Sequence, residues 1–224
     1  MRKVLAGLVA VSVSVVLVGC GAGTKTGPTT SVAAPTTSAG TSKAERPKLA
    51  GPNKTINDYI TENKIAETPI KPDEPGTPKF DFPFPPGWSL AGDKTPDWAY
   101  GAIVYDQPTD PADPPAIIAI ASKLTGDVDA AKILEYAPGQ LQNLPDFKPI
   151  KEATKGTLGG FESIQSSGTY TNDGKVRAIA QKTVVIPSAD ALFVLQLNGI
   201  APEGQKDVVI AAAQLIDEQT KITP

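Results

Sequence analysis

The residue with the clearest chemistry in this chain is Cys20, the only cysteine present. It follows Leu17, Val18 and Gly19, which is the lipobox pattern, behind a basic start at Arg2 and Lys3 and an apolar run from Val4 to Val18. The run is too short for a comfortable membrane span, and small residues stand where a peptidase must cut. Residues 1–19 therefore read as a signal peptide cleaved between Gly19 and Cys20. The lone thiol reads as the acceptor of a diacylglyceryl thioether, an S-diacylglyceryl cysteine whose freed amine is then palmitoylated. Each buried acyl methylene contributes about 0.8 kcal/mol, so two or three chains would hold Cys20 at the membrane firmly.

Other chemistry is bounded by what the chain lacks. It contains no histidine, which removes the Ser-His-Asp and Cys-His constellations and the commonest zinc ligand. Gly156-Thr157-Leu158-Gly159-Gly160 has neither the lysine nor the preceding strand of a phosphate-cradling loop and reads as a turn. Asp97, Asp106, Asp110 and Asp113 gather near two expected loops. The last three lie among prolines, where Asp-Pro steps are ordinary turn formers, and their spacing lacks the glycine and terminal glutamate of a calcium loop. No catalytic residue, metal site or cofactor is assigned. Losing Arg2 and Lys3 with the signal takes the formal net charge from −3 to −5, and no basic stripe exists for nucleic acid to follow. Trp88, after a Pro-Pro-Gly turn, reads as a core plug. Trp98, in the loop Pro96-Asp97-Trp98-Ala99, is equally suited to core or ligand contact.

The elements that position these residues begin late. From Cys20 to Gly51 the chain is mostly Thr, Ser, Ala, Gly, Pro and Lys, a composition that cannot bury a core and that reads as a tether with a reach of about 30 Å. Residues 52–224 are expected to form one globular domain. Thr55-Ile56-Asn57-Asp58 is a capping arrangement for a helix to about Asn63. Phe80, Phe82 and Phe84 alternate like a short edge strand, with Pro83 limiting its ladder. Strands are expected over Tyr100 to Tyr105 and Ala116 to Leu124, then a helix capped by Asp127 and interrupted at Pro138-Gly139. An antiparallel meander should follow over 161–171, 175–186 and 191–198, and a last helix should open at Pro202 with Val208, Val209, Ala212, Leu215 and Ile216 as its apolar stripe. That order is α+β, with helices packed on a largely antiparallel sheet. If the domain takes an acyl chain, its cavity should lie between the sheet and the helix beginning at Asp127, lined by Ile103, Ile118, Ile133, Leu134 and Leu141.

Several segments together resemble the LpqN-type lipoproteins of mycobacteria and related actinobacteria: Gly51 to Ile60, Tyr100 to Tyr105, Ser122 to Asp127, Gln181 to Pro187, Phe193 to Asn198 and Ile216 to Thr220. The resemblance implies a Mog1/PsbP-like α/β/α sandwich. It also implies a non-enzymatic adaptor or binding role at the cell envelope in handling trehalose mycolates and assembling the mycomembrane. The partners implied are the membrane through acylated Cys20, an acyl-trehalose glycolipid and a lipid-export membrane protein, with the protein lipid-anchored and facing the cell exterior. A surface role in adhesion or host-protein contact, or a carboxylate-based envelope sugar hydrolase, are the alternatives the residues leave open.

Overall fold

A computed structural model describes residues 50–224; the expected signal peptide, Gly19, Cys20 and nearly all of the expected tether lie outside the described residues. The first element forms for a local reason. Thr55 Oγ1 accepts from the Asp58 amide and the Asp58 carboxylate accepts from the Thr55 amide at 2.9 Å, a reciprocal box that opens α1 (Ile56–Glu62). The Thr55 hydroxyl, which donates to the Asp58 carboxylate at 2.7 Å, and the Thr55 amide together hold that carboxyl below the ordinary aspartate value. Ile56, Tyr59 and Ile60 then fall on one buried face.

Strands β1 (Ala66–Pro69), β2 (Lys79–Asp81), β3 (Trp88–Leu90), β4 (Gly101–Tyr105) and β5 (Ala116–Thr125) follow, then α2 (Ala130–Tyr136) and α3 (Gly139–Gln142). The chain finishes with β6 (Lys148–Leu158), β7 (Phe161–Asn172), β8 (Lys175–Pro187), β9 (Leu192–Pro202), α4 (Lys206–Gln219) and β10 (Lys221–Thr223). The main sheet runs β3-β4-β5-β9-β8-β7-β6, antiparallel throughout, with β1 added against β5. The β7–β8 hairpin turns where Asp173 and Gly174 both have positive φ, the geometry of a two-residue type I′ turn.

Because side chains alternate along each strand, the register divides the sheet into two faces. On one, Ile117, Ala119, Ala121, Phe193, Leu195, Leu197, Val184 and Ile186 pack under α4 through Val209, Ala212 and Ile216. On the other, Leu124, Val185, Leu192, Val194 and Ile164 pack under α1 and α2 through Ile56, Tyr59, Ile60, Ile133 and Leu134. This is the α+β architecture with helices on both sides. Gly199 permits the α4 contact: a Cβ there would meet Val209 Cγ1 at 2.5 Å.

Five sequence expectations need correction. The cap of α2 is Asp129, whose carboxylate accepts from the Ala131 amide at 2.7 Å, not Asp127. Only Lys79–Asp81 of the Phe80–Phe84 segment is a strand, and it pairs with β10 in a separate two-stranded sheet. Pro202 ends β9 rather than opening the helix, which starts at Lys206. The meander has an additional long strand, β6, paired to β7 with register shifts between Pro149 and Thr154. Gly156 lies inside that strand, and the turn is confined to Gly159 and Gly160.

Candidate functional site

The face beneath α1, α2 and α3 is not uniformly apolar. Pairing across β4, β5, β9, β8 and β7 aligns Ala102, Ile118, Asn198, Gln181 and Ser166 in one row. At its centre Gln181 Nε2 donates to Asn198 Oδ1 at 2.8 Å and lies 3.3 Å from Gln140 Oε1 of α3. Both amides are buried, Gln181 at 3% and Asn198 at 8% exposure. The adjacent row holds Val104, Ala116, Ile200, Ile179 and Gly168. Ala102, Val104, Ile118 and Ile200 are half-buried and belong to neither apolar cluster, so this part of the face is an apolar shelf beside an amide floor.

The shelf ends at a charged bridge. Arg177 Nη1 meets Asp113 Oδ1 at 2.5 Å, while Arg177 Nε is buried without an acceptor. Tyr170, paired with Arg177 across the β7–β8 ladder, has its hydroxyl pKa raised by burial, with Asp113 adding to the rise and Arg177 opposing it. Gln181 and Arg177 are four residues apart on one strand face, about 13 Å. The arrangement offers amide donors and acceptors, one unanswered guanidinium N–H and adjoining aliphatic surface. That combination suits an amphiphile with a hydroxyl-rich head.

The residues singled out from the sequence are distributed as follows. Ile118 lies on the shelf. Leu141 is buried on α3, next to Gln140. Ile133 and Leu134 are core: Ile133 has no exposed area, and the gap lined by Ile56, Ile60, Ile120, Leu124 and Val194 measures only about 10 Å³, room for a single water. Ile103 pairs with Ile117 and packs against the α4 side, so the five cannot line one cavity. Trp98 is half-buried in the turn closed by Ala99 N–H to Pro96 O, where Lys71 Nζ donates to the carbonyls of Asp97 and Ala99, and it joins neither cluster. Trp88 is core, its ring 5.7 Å from Tyr105. Of the loop aspartates, Asp106 accepts from Ser89 Oγ, Asp110 accepts from the Ala112 amide at 2.9 Å and Asp113 is held by Arg177. Among the described residues no three His, Cys, Asp or Glu side chains form a metal-sized group, and no helix is long and apolar enough to cross a membrane.

Gln140, Gln181, Asn198 and Arg177 were not singled out from the sequence. A polar residue on a strand face that is otherwise apolar, such as Asn198 on the same face as Leu192 and Val194, is the signal that could have found them.

Fold and site together define an α+β sandwich-type domain with a mixed amide and aliphatic surface on one sheet face. Residues 52–223 match the sequence model of the family described as "Probable lipoprotein LpqN", and the chain belongs to that family. It is similar to Lipoprotein LpqN of Mycobacterium tuberculosis (strain ATCC 25618 / H37Rv), at 52% identity over 177 residues that make up 79% of this chain and 77% of the relative. It is also similar to a solved structure, "Crystal structure of LpqN involved in cell envelope biogenesis of Mycobacterium tuberculosis", with a TM-score of 0.74 and 53% identity, covering 78% of this chain and all of the other.

Proposed function

We propose that this chain is a non-enzymatic, lipid-anchored envelope protein that binds an acylated trehalose glycolipid and passes it to, or holds it beside, a lipid-export membrane protein during mycomembrane assembly. The observation that carries the reading is the buried Gln181–Asn198 amide pair beside half-buried Ala102, Val104, Ile118 and Ile200. Sugar hydroxyls exchange hydrogen bonds with the amides and with Arg177 Nε, and the acyl chain covers the aliphatic shelf. Covering what remains exposed of one half-buried isoleucine on that shelf contributes at most about 1 kcal/mol. Family membership supports an envelope setting, since the solved relative is described as involved in cell envelope biogenesis. Cys20 supplies the anchor, and the tether gives the domain room to reach a partner.

The test is titration of the full chain with a short acyl-trehalose, alongside mass spectrometry of lipids recovered with the acylated protein. Saturable binding that weakens in Asn198→Leu and in Ile118→Asp supports the reading. Turnover of the glycolipid by the purified protein, or no binding at millimolar concentration, overturns it. Cys20→Ala should abolish acylation and release or strand the precursor; a mutant still acylated and cleaved after Gly19 would refute the assignment of the anchor.

A further inference from the structure

The opposite sheet face changes character along its width. Under α4 its rows are apolar, but toward β7 and β6 the same rows end in Ser167 and Lys151, in Lys182, Gln165 and Thr154, and in Ser163 and Gly156. These residues, with Glu152 and Lys155, line a cleft of about 140 Å³, separate from the shelf described above.

Three features mark the cleft as a site rather than a solvated edge. Ser163 lines it, is only 2% exposed, and its Oγ has no hydrogen-bond partner. A buried hydroxyl left this way is costly to the free protein and calls for an explanation. Gly156 faces Ser163 from β6 with nothing else near: a Cβ there would stand 3.8 Å from Ser163 Oγ, ordinary contact, so the missing side chain is what keeps this end open. One ammonium is left for an anion. Lys182 is mostly buried and joined to Asp217 of α4 at 2.5 Å, whereas Lys151 has no carboxylate partner among the described residues. Lys155, paired with Ile164, stands on the other face of β6. The lining carries no aromatic face on which a sugar could stack. The Ser163 hydroxyl, the Gln165 amide and the Lys151 ammonium make no side-chain hydrogen bond among the described residues, and one group that accepts from all three suits them.

We propose that this cleft binds a phosphate-type oxyanion, with Ser163 Oγ and the Lys182 ammonium at its inner end and Lys151 at its rim. The anion is inorganic phosphate, a phosphate monoester, or the phosphodiester of a lipid headgroup; all present the same oxygens.

The experiment is a two-dimensional amide NMR titration of the full chain with inorganic phosphate, glycerol phosphate and dimethyl phosphate at constant ionic strength. Saturable shifts at the Gly156, Ser163 and Gln165 amides are expected at millimolar concentration. Saturation by dimethyl phosphate as well assigns a headgroup source, and saturation by phosphate and monoester alone assigns a free or monoester source; both support the site. Gly156→Val should fill the cleft and abolish the shifts. Ser163→Ala should raise the thermal midpoint of the ligand-free chain, because the unpaired hydroxyl is gone, and should weaken phosphate binding about fivefold. Lys151→Gln should weaken it to a similar extent. Shifts no larger than those from chloride, shifts that persist in Gly156→Val, trehalose acting in place of phosphate, or a lowered midpoint in ligand-free Ser163→Ala would overturn the proposal. These outcomes are independent of acyl-trehalose binding on the other face.

Discussion

The amide floor can be tested by removing first one partner and then both. In Asn198→Leu, Gln181 Nε2 loses its 2.8 Å acceptor and keeps only the longer 3.3 Å contact to Gln140, at a side chain that is 3% exposed. A buried donor left without its acceptor costs about 1 to 3 kcal/mol. In a domain of this size each kcal/mol moves the thermal midpoint by about 2 to 4 °C, so the drop should be about 2 to 12 °C. Gln181→Leu should cost a similar amount, since it orphans Asn198. The double variant replaces the pair with apolar groups of similar volume and should return to within about 1 kcal/mol of the parent, because no buried polar atom is left wanting. Function should move the other way. All three variants should bind a short acyl-trehalose at least tenfold more weakly, about 1.4 kcal/mol, with the double the weakest. Calorimetric melting and a binding titration on the same four proteins complete the cycle. If the double variant loses the sum of the two single losses, or if it binds with parental affinity, the pair is not a coupled headgroup site and the reasoning fails.

Ile133→Phe should lower stability by about 1 to 3 kcal/mol in chemical denaturation, because Ile133 has no exposed area and overpacking strains a filled core; an unchanged midpoint would reveal space the structure does not show. Gly199→Ala should cost a similar amount by forcing α4 away from β9 at Val209, and pairing it with Val209→Ala should recover part of the loss, which a double-mutant cycle measures. Thr55→Ala should cost about 1 kcal/mol at neutral pH through loss of the cap. The Asp58 pKa is lowered in the folded state, so the stability it contributes is complete above the ordinary value of 3.8 and fades as the pH falls below it; the gap between Thr55→Ala and the parent should narrow in acid melts, and a gap constant down to pH 2 would contradict the hydrogen-bonded box.

Local chemistry was legible where neighbours in sequence satisfy one another. Thr55 and Asp58 cap a helix from three residues apart, Asp173 and Gly174 close a hairpin by their own backbone, and Pro138 ends α2 because the ring cannot continue the helix. Strands buried on both faces, such as Ala116–Thr125, announced themselves by a nearly continuous apolar run. Lys148–Leu158 did not, since ten of its eleven residues are exposed, and only its pairing to β7 makes it a strand. Cys20 and the residues before it lie outside the described residues, so the expectation of a signal peptide and lipobox there rests on the sequence alone. The sites are the reverse case. Ile103 and Ile118 are alike as residues, yet they face opposite sides of the sheet, because a two-residue period fixes orientation within a strand while register between strands decides which residues share a face. Gln181 meets Asn198, and Ser163 meets Gly156, only through the register of the β8–β9 and β6–β7 hairpins, so the strand pairing decides where those polar atoms converge.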